Sequence, residues 1–179
     1  MRNIVLIGMP GAGKTTVGKA LARLLDLAFV DSDKELVMRT GVPVTTIFEI
    51  EGEHGFRARE SALLVELLEQ TGLVLATGGG AILQPENRTV LRANATVVYL
   101  RASLDALWER TRRDTARPLL RTPDPRRTLA DLLALRDPLY RETAHVMFDT
   151  GRQSASKLAQ QIAASLRANQ ASPPETPQP

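Results

Sequence analysis

The strongest chemical signal in the chain lies near its N-terminus. Gly8-Met9-Pro10-Gly11-Ala12-Gly13-Lys14-Thr15 has the spacing G-x-x-x-x-G-K-[ST]. Glycines at these positions let the backbone turn so that successive N–H groups point inward at phosphate oxygens. Lys14 brings a point charge to the β- and γ-phosphates of a nucleoside triphosphate, and the Thr15 hydroxyl is a ligand for Mg²⁺. A helix directly after the loop aims its positive end at the same anion. The motif means little alone, but here an apolar strand pattern precedes it and a helical pattern follows, the context that gives it weight. The nucleotide-binding candidates are therefore Gly11, Ala12, Gly13, Lys14, Thr15 and Thr16. The loop implies a nucleotide and no particular reaction, since ATPases, GTPases, small-molecule kinases and regulators all carry it. The chain has no guanine-reading Asn-Lys-x-Asp.

Three further groups could form the acceptor side. Asp31-Ser32-Asp33 follows the second strand pattern, and ligands of open α/β sheets bind beyond the carboxyl ends of strands. One carboxylate can hold Mg²⁺ directly or through water. The other can orient an acceptor hydroxyl or take its proton. The plainer reading is an N-cap, with Asp33 starting a helix. Arg57 and Glu60, three apart on one helical face, are either a surface ion pair or a buried pair whose guanidinium forks onto a substrate carboxylate. Gly78-Gly79-Gly80 follows the third strand; it offers close backbone approach and N–H donors, or is a plain loop. Nine of the 19 arginines fall between Arg101 and Arg136, against five acids. That bias suits phosphate handling, nucleic-acid binding or a solvated face.

These residues need a frame, and the pattern supplies one. Residues 3–8 read as a fully buried strand, and 14–25 as a helix with Val17, Leu21, Leu24 and Leu25 on its apolar face. A second strand covers 29–30. Short helices at 33–40 and 45–51 are split by Gly41 and Pro43, and a long helix over 52–70 presents Phe56, Ala62, Leu63 and Leu67. Strands at 73–76, 95–100 and 146–148 alternate with helices at 85–93, after Ser103, at 126–144 and at 154–168. Ser103 is placed to cap its helix. Residues 112–125, Arg-rich and broken by Pro118, Pro123 and Pro125, read as a long loop. Alternating strands and helices argue an α/β fold with a parallel sheet covered on both faces.

Composition narrows the classes. The chain has 179 residues, 43% hydrophobic, with net charge +3 and no cysteine. This fits one domain, over 1–168, with a Pro-rich disordered tail at 169–179, and excludes disulfides and cysteine chemistry. No signal peptide or membrane span is visible, which fits a cytoplasmic protein without a membrane partner. Aromatic residues are 4%, too few for a stacking surface, so no nucleic-acid partner is expected.

Taken together, the motifs resemble the shikimate kinase family over about residues 3–165. The resemblance rests on the phosphate loop and on Phe29-x-Asp31-x-Asp33. It includes Ile47-Phe48 followed by Gly52-Glu53-x-x-Phe56-Arg57-x-x-Glu60, Gly78-Gly79-Gly80, Arg117-Pro118-Leu119-Leu120, and Arg136 with Tyr140. It implies a three-layer α/β/α P-loop kinase fold like that of nucleoside-monophosphate kinases. The sheet would be five-stranded and parallel, with an Arg-bearing lid at about 112–125 and an acceptor-binding region at about 32–60. It implies ATP and Mg²⁺ as cofactors and transfer to the 3-hydroxyl of shikimate by a monomer, in aromatic amino-acid biosynthesis. Lys14, Asp33 and Arg117 would be catalytic, with Arg117 neutralising the transferred phosphoryl group. Asp33, Arg57, Glu60, Gly78, Gly79, Gly80 and Arg136 would bind shikimate, with Arg57 and Arg136 on its carboxylate. Thr15 and Asp31 would hold Mg²⁺, and Arg110 and Arg152 would contact adenine. The segment 149–154 departs from the family in lacking a proline. His54 and His145 match no family role and read as surface or packing residues. The alternatives are gluconate kinase, a nucleoside-monophosphate kinase and a non-catalytic nucleotide-binding regulator.

Overall fold

The computed structural model describes residues 2–112, 122–151 and 153–171. Strand β1 (Asn3–Ile7) is buried at every position and forms the middle of the sheet. It leads through the glycine-rich loop into α1 (Lys14–Leu25), followed by β2 (Ala28–Asp31), α2 (Ser32–Thr40), α3 (Val44–Glu69) and β3 (Leu73–Ala76). A short 3-10 turn at Ala81–Leu83 leads into α4 (Pro85–Asn94), β4 (Ala95–Arg101) and α5 (Leu104–Thr111). The chain then continues through α6 (Pro125–Thr143), β5 (Val146–Asp149) and α7 (Ala155–Ala171). The sheet order is β2-β3-β1-β4-β5 and every pair is parallel, with Val5 opposite both Leu75 and Val97. Continuous apolar runs such as Ile4–Ile7 are what a strand buried on both faces requires.

The strand order puts the phosphate loop, after β1, beside the glycine triplet, after β3. The chain leaves β1 toward β2 and leaves β3 toward β4, so the connections diverge there and a crevice opens at the carboxyl ends of these strands. Thr77 closes the junction, its N–H donating to the Leu6 carbonyl at 3.2 Å. Gly8 is required at the strand exit: its φ is 148°, and a Cβ there would lie 2.6 Å from the Leu100 carbonyl oxygen.

Four details differ from the sequence expectation. The helices expected at 45–51 and 52–70 form one element, α3, broken at Gly52, where φ is 68°. Leu24 is 42% exposed, and Ala62 is exposed while Leu64 and Leu68 fill the α3 face. Those positions satisfy helical spacing, but the elements packed against each helix cover a narrower stripe than the spacing allows. Helix α7 continues to Ala171, three residues into the segment expected as tail; no glycine or proline occurs between 155 and 172 to stop it. The cap of α2 is Asp31, whose Oδ1 accepts from Lys34 N–H at 3.4 Å. Asp33 lies in the first turn and is therefore not the cap.

Candidate active site

The phosphate loop is built as its glycines demand. Gly11 and Gly13 have φ of 83° and 93°, in the left-handed region, and Gly13 is the N-cap of α1. Unlike α2 and α5, which are capped by Asp31 and by the Ser103 hydroxyl, α1 has no side-chain cap. Its first N–H groups are thus left to an anion. Lys14 is 9% exposed, and its Nζ donates to the carbonyls of Gly8 at 2.7 Å and Met9 at 3.0 Å, which hold the ammonium over the loop. Ala12 is buried beneath the loop, and Thr16 is exposed in the first turn of α1.

Thr15 and Asp31 meet at the edge of this loop. The Thr15 hydroxyl donates to Asp31 Oδ2 at 2.7 Å. Two hard oxygen donors beside a phosphate site fit Mg²⁺, which takes one or two protein ligands and completes its shell with water and phosphate oxygens. Among the described residues no cluster of three acidic, histidine or cysteine side chains could hold a metal alone. That agrees with a metal shared with the nucleotide.

On the acceptor side the structure brings Asp33, Arg57, Glu60, Arg136 and the glycine triplet together. Arg57 Nη1 donates to Glu60 Oε2 at 2.6 Å, with the side chains 8% and 3% exposed, so this is a buried pair. Arg57 lies 5.1 Å from the centre of the Phe56 ring. Burial raises the Glu60 pKa above its usual value, while the Arg57 and Arg136 charges oppose that rise and Asp33 adds to it. Each glycine of the triplet has a close neighbour. A Cβ on Gly78 would stand 2.7 Å from Asp33 Oδ1 and 2.8 Å from Glu60 Oε1. On Gly79 it would stand 2.7 Å from Pro10 of the phosphate loop, and on Gly80 it would strike the Arg57 guanidinium.

Among the described residues, three buried polar atoms here have no hydrogen-bond partner: Arg57 Nε, Arg136 Nε and Glu60 Oε1. Buried orphans are rare and costly. Two donors and one acceptor left over among neighbouring charged groups fit a ligand that offers both a carboxylate and a hydroxyl. Arg136 is 3% exposed and makes no ion pair among the described residues.

Several supporting residues carried no role in the sequence reading. Ser32 Oγ accepts the Gly78 N–H at 3.1 Å, tying the Asp-Ser-Asp segment to the triplet. The Tyr140 hydroxyl donates to the Gly79 carbonyl at 2.6 Å, and its ring stacks on Tyr99 at 4.9 Å. Burial raises the Tyr140 pKa far above its usual value, so the phenol stays a donor. Tyr99 in turn donates to Asp137 at 2.8 Å. The position of Ser32 between two aspartates and that of Tyr140 alongside Arg136 in the motif signalled these residues without giving them a role.

Arg110 bridges the two flanks of the nucleotide region. Its guanidinium donates to the Gly11 carbonyl at 3.2 Å and to the Thr150 and Gly151 carbonyls at 3.3 and 3.4 Å. Arg117 and Arg152 lie outside the described residues, as does most of the segment read as a lid. His145 packs at the sheet edge, its Nδ1 accepting the Val97 N–H at 3.0 Å. Two clefts of about 400 Å³ lie elsewhere, one lined by Arg101, Leu133 and Asp137 and one by Leu36, Arg39 and Glu66, and neither includes the phosphate loop.

Comparison with known proteins gives a consistent result. The family model described as shikimate kinase matches residues 10–167. A shikimate kinase of Nitrosospira multiformis is 57% identical over 92% of this chain and 84% of its own. The structure is similar to that of a shikimate kinase from Acinetobacter baumannii in complex with shikimate, with TM-score 0.93, 49% identity and 96% of each chain covered. A gluconokinase from Sinorhizobium meliloti, at 19% identity and TM-score 0.54 over 96% of this chain and 98% of its own, shares the fold alone.

Proposed function

The chain belongs to the shikimate kinase family, and from that premise we propose how its own residues carry the reaction. The enzyme transfers the γ-phosphoryl group of ATP to shikimate, with Mg²⁺, in aromatic amino-acid biosynthesis. The 3-hydroxyl oxygen forms a bond to γ-phosphorus as the bond from phosphorus to the β–γ bridging oxygen breaks. ADP leaves with that electron pair, and the hydroxyl proton is released. The observation that carries the assignment of roles is that Arg57 Nε, Arg136 Nε and Glu60 Oε1 are buried without partners among the described residues, with Glu60 Oε1 and Asp33 Oδ1 both beside Gly78.

Arg57 and Arg136 grip the shikimate carboxylate, and Glu60 holds the Arg57 fork while its second oxygen accepts from a ring hydroxyl. Asp33 orients the attacked hydroxyl and accepts its proton. Gly78, Gly79 and Gly80 let the ring lie against backbone N–H groups. Gly11, Ala12, Gly13, Lys14, Thr15 and Thr16 cradle the phosphates, and Lys14 follows the charge that builds on the γ-phosphoryl oxygens. Thr15 and Asp31 hold Mg²⁺, which when bound neutralises phosphate charge. Arg110 supports the adenine side together with Arg152. Arg117, in a lid over about 112–125, neutralises the transferred group and excludes water. The kinase domain spans 1–168.

No helix among the described residues is long and apolar enough to cross a membrane, and we place the enzyme in the cytoplasm as a monomer, which sedimentation at micromolar concentration would check. An ADP-release assay with ATP, Mg²⁺ and a panel of acceptors tests the substrate: turnover is expected with shikimate and little with gluconate or AMP. Absence of turnover with shikimate overturns the reading. Asp33→Ala is expected to abolish turnover while ATP still binds; retention of most activity would remove Asp33 from the orienting role.

A further inference from the structure

Helix α3 is interrupted once. Gly52, at φ 68° and ψ −177°, takes the chain out of helical geometry between residues 44–51 and 53–69. Nothing lies within 4 Å of where a Gly52 Cβ would stand, so glycine is there for its backbone angle and not for space. The break folds the end of the first half over the start of the second. A Cβ on Gly55 would collide with the Glu51 Cβ and lie 3.0 Å from Glu51 Oε2. Glycine at 55 disfavours a helix relative to alanine, and the passage of the Glu51 side chain explains its presence.

Beyond Gly55 the Glu51 carboxylate meets Arg59 in a fork, Arg59 Nε to Oε2 and Nη2 to Oε1, both at 2.7 Å. An ion pair on a regular helix joins residues three or four apart. This one joins residues eight apart, and only the turn at Gly52 makes it possible. The Arg59 guanidinium holds the Glu51 carboxyl below its usual pKa, so the pair stays charged at neutral pH.

The same break sets the surroundings of Arg57. Phe48, from the first half of α3, rests on Phe56, from the second, with ring centres 4.5 Å apart. The Arg57 guanidinium lies over the Phe56 ring at 5.1 Å. Glu53, the first residue after the break, accepts from Arg57 Nη2 at 3.4 Å. Glu53 and Phe56 belong to the same half as Arg57, so the angle between the two halves reaches Arg57 through Phe48, whose ring packs from the first half on Phe56, the floor under the guanidinium. Phe48 and Phe56 hold that angle from the buried side, and the fork holds it from the solvent side.

We propose that Glu51 and Arg59 form a clasp across the Gly52 break that positions Arg57 for the carboxylate of the acceptor. Neither residue touches substrate; both are positioning residues, and the clasp rests on the reading of Arg57 as the carboxylate grip. The fork is half-exposed, with side chains 47% and 33% accessible, so salt weakens it.

Steady-state kinetics on the full chain test the clasp with Glu51→Gln, Arg59→Met and both together. Each single variant is expected to raise the shikimate KM about two- to fivefold, the range open to an exposed pair. The kcat and the ATP KM should stay within about twofold of the unaltered enzyme. The double variant should be no worse than the worse single one, because the second change removes a partner already lost. Added salt should raise the shikimate KM of the unaltered enzyme more than that of either variant. The clasp is overturned by an unchanged shikimate KM in both single variants, by effects that add in the double, or by an equal rise in the ATP KM, which would mean general loosening. An unaltered enzyme that fails to turn over shikimate overturns the underlying reading, and the clasp with it. Normal turnover by enzyme and variants alike overturns the clasp alone.

Discussion

The two arginines assigned to the shikimate carboxylate should behave differently when removed, and the difference follows from their partners. Replacing Arg57 with Met keeps most of the volume but leaves Glu60, 3% exposed, as a buried carboxylate without its cation. Breaking a buried pair in this way costs about 3–5 kcal/mol. At about 2–4 °C per kcal/mol for a chain of this size, the melting temperature should fall by about 6–20 °C. Arg136 makes no ion pair among the described residues. It hydrogen-bonds Tyr140 and buries Nε without a partner. Arg136→Met loses a charged hydrogen bond of about 1.5–3 kcal/mol and relieves an orphan costing about 1–3 kcal/mol. The two largely offset, so the melting temperature should move by less than about 8 °C, and near zero at mid-range. Both variants should raise the shikimate KM about 10- to 150-fold, the loss of one charge-assisted contact.

A pH comparison sharpens the Arg57 case. Burial already raises the Glu60 pKa above its usual value, and removing Arg57 raises it further. A carboxyl whose pKa is raised on folding costs stability that accrues as pH rises from the unfolded to the folded pKa and remains in full above it. The Arg57→Met deficit should therefore be small below about pH 4.5, grow with pH, and level off above the folded pKa. Adding Glu60→Gln should recover stability without recovering the shikimate KM. Thermal melts by fluorescence over pH 5 to 8, with kinetics alongside, measure all of this. Equal losses in the two arginine variants would refute the reasoning, as would an Arg57→Met/Glu60→Gln double less stable than Arg57→Met.

The remaining expectations concern the groups around this pair. Gly80 has φ −99°, which alanine adopts freely, so Gly80→Ala should fold normally yet displace Arg57 and raise the shikimate KM by about 10²-fold, with the ATP KM unchanged in the same assay. Tyr140→Phe removes the donor to the Gly79 carbonyl and should raise the shikimate KM about fivefold, a hydrogen bond of about 1 kcal/mol; an unchanged KM would show that the triplet keeps its place without it. Burial, with Arg92 and Arg2 nearby, lowers the His145 pKa below 6.5. The folded chain then binds a proton there less readily than the unfolded chain, so stability to urea should decline slightly as pH falls below about 6.5 and be flat with respect to this group above it. His145→Asn offers Val97 N–H an acceptor that does not titrate, and should remove that slope.

The nucleotide half of the site was legible because its parts are contiguous. The residues of the phosphate loop, with a strand before and a helix after, define their own backbone path. Thr15 and Asp31, 16 apart, needed the further premise that β2, with β3 between it and β1, ends on the same edge of the sheet as β1. The acceptor half was legible only as residue types. Arg57 and Glu60 could be paired from their spacing, but whether the pair was buried depended on α3 packing under the triplet, which the spacing does not contain. The partners that hold the triplet were not legible: Ser32 lies 46 residues from Gly78, and Tyr140 lies 61 from Gly79. Helical periodicity also misplaced Leu24 and Ala62, because it gives the direction of an apolar face and not its width. The Gly52 break was read as a helix start; its consequence, an ion pair between Glu51 and Arg59, requires the bend itself.

The glycine triplet shows why residue type alone misleads. In sequence, Gly78-Gly79-Gly80 has the composition of a loose loop. In the structure each position is confined by a different functional neighbour: Asp33 and Glu60 at Gly78, Pro10 at Gly79 and Arg57 at Gly80. The segment therefore sets the register between the phosphate loop and the acceptor residues, which arrive from α2, α3 and α6. Phosphoryl transfer depends on that register, because an in-line approach fails when the acceptor shifts by about 1 Å. A side chain would displace Asp33 and Glu60 at Gly78, Pro10 at Gly79 and Arg57 at Gly80, leaving the rest in place. Substitutions along the triplet should thus fail in distinct ways, with Gly79→Ala, against the phosphate loop, coupling to the ATP KM and Gly80→Ala to the shikimate KM alone.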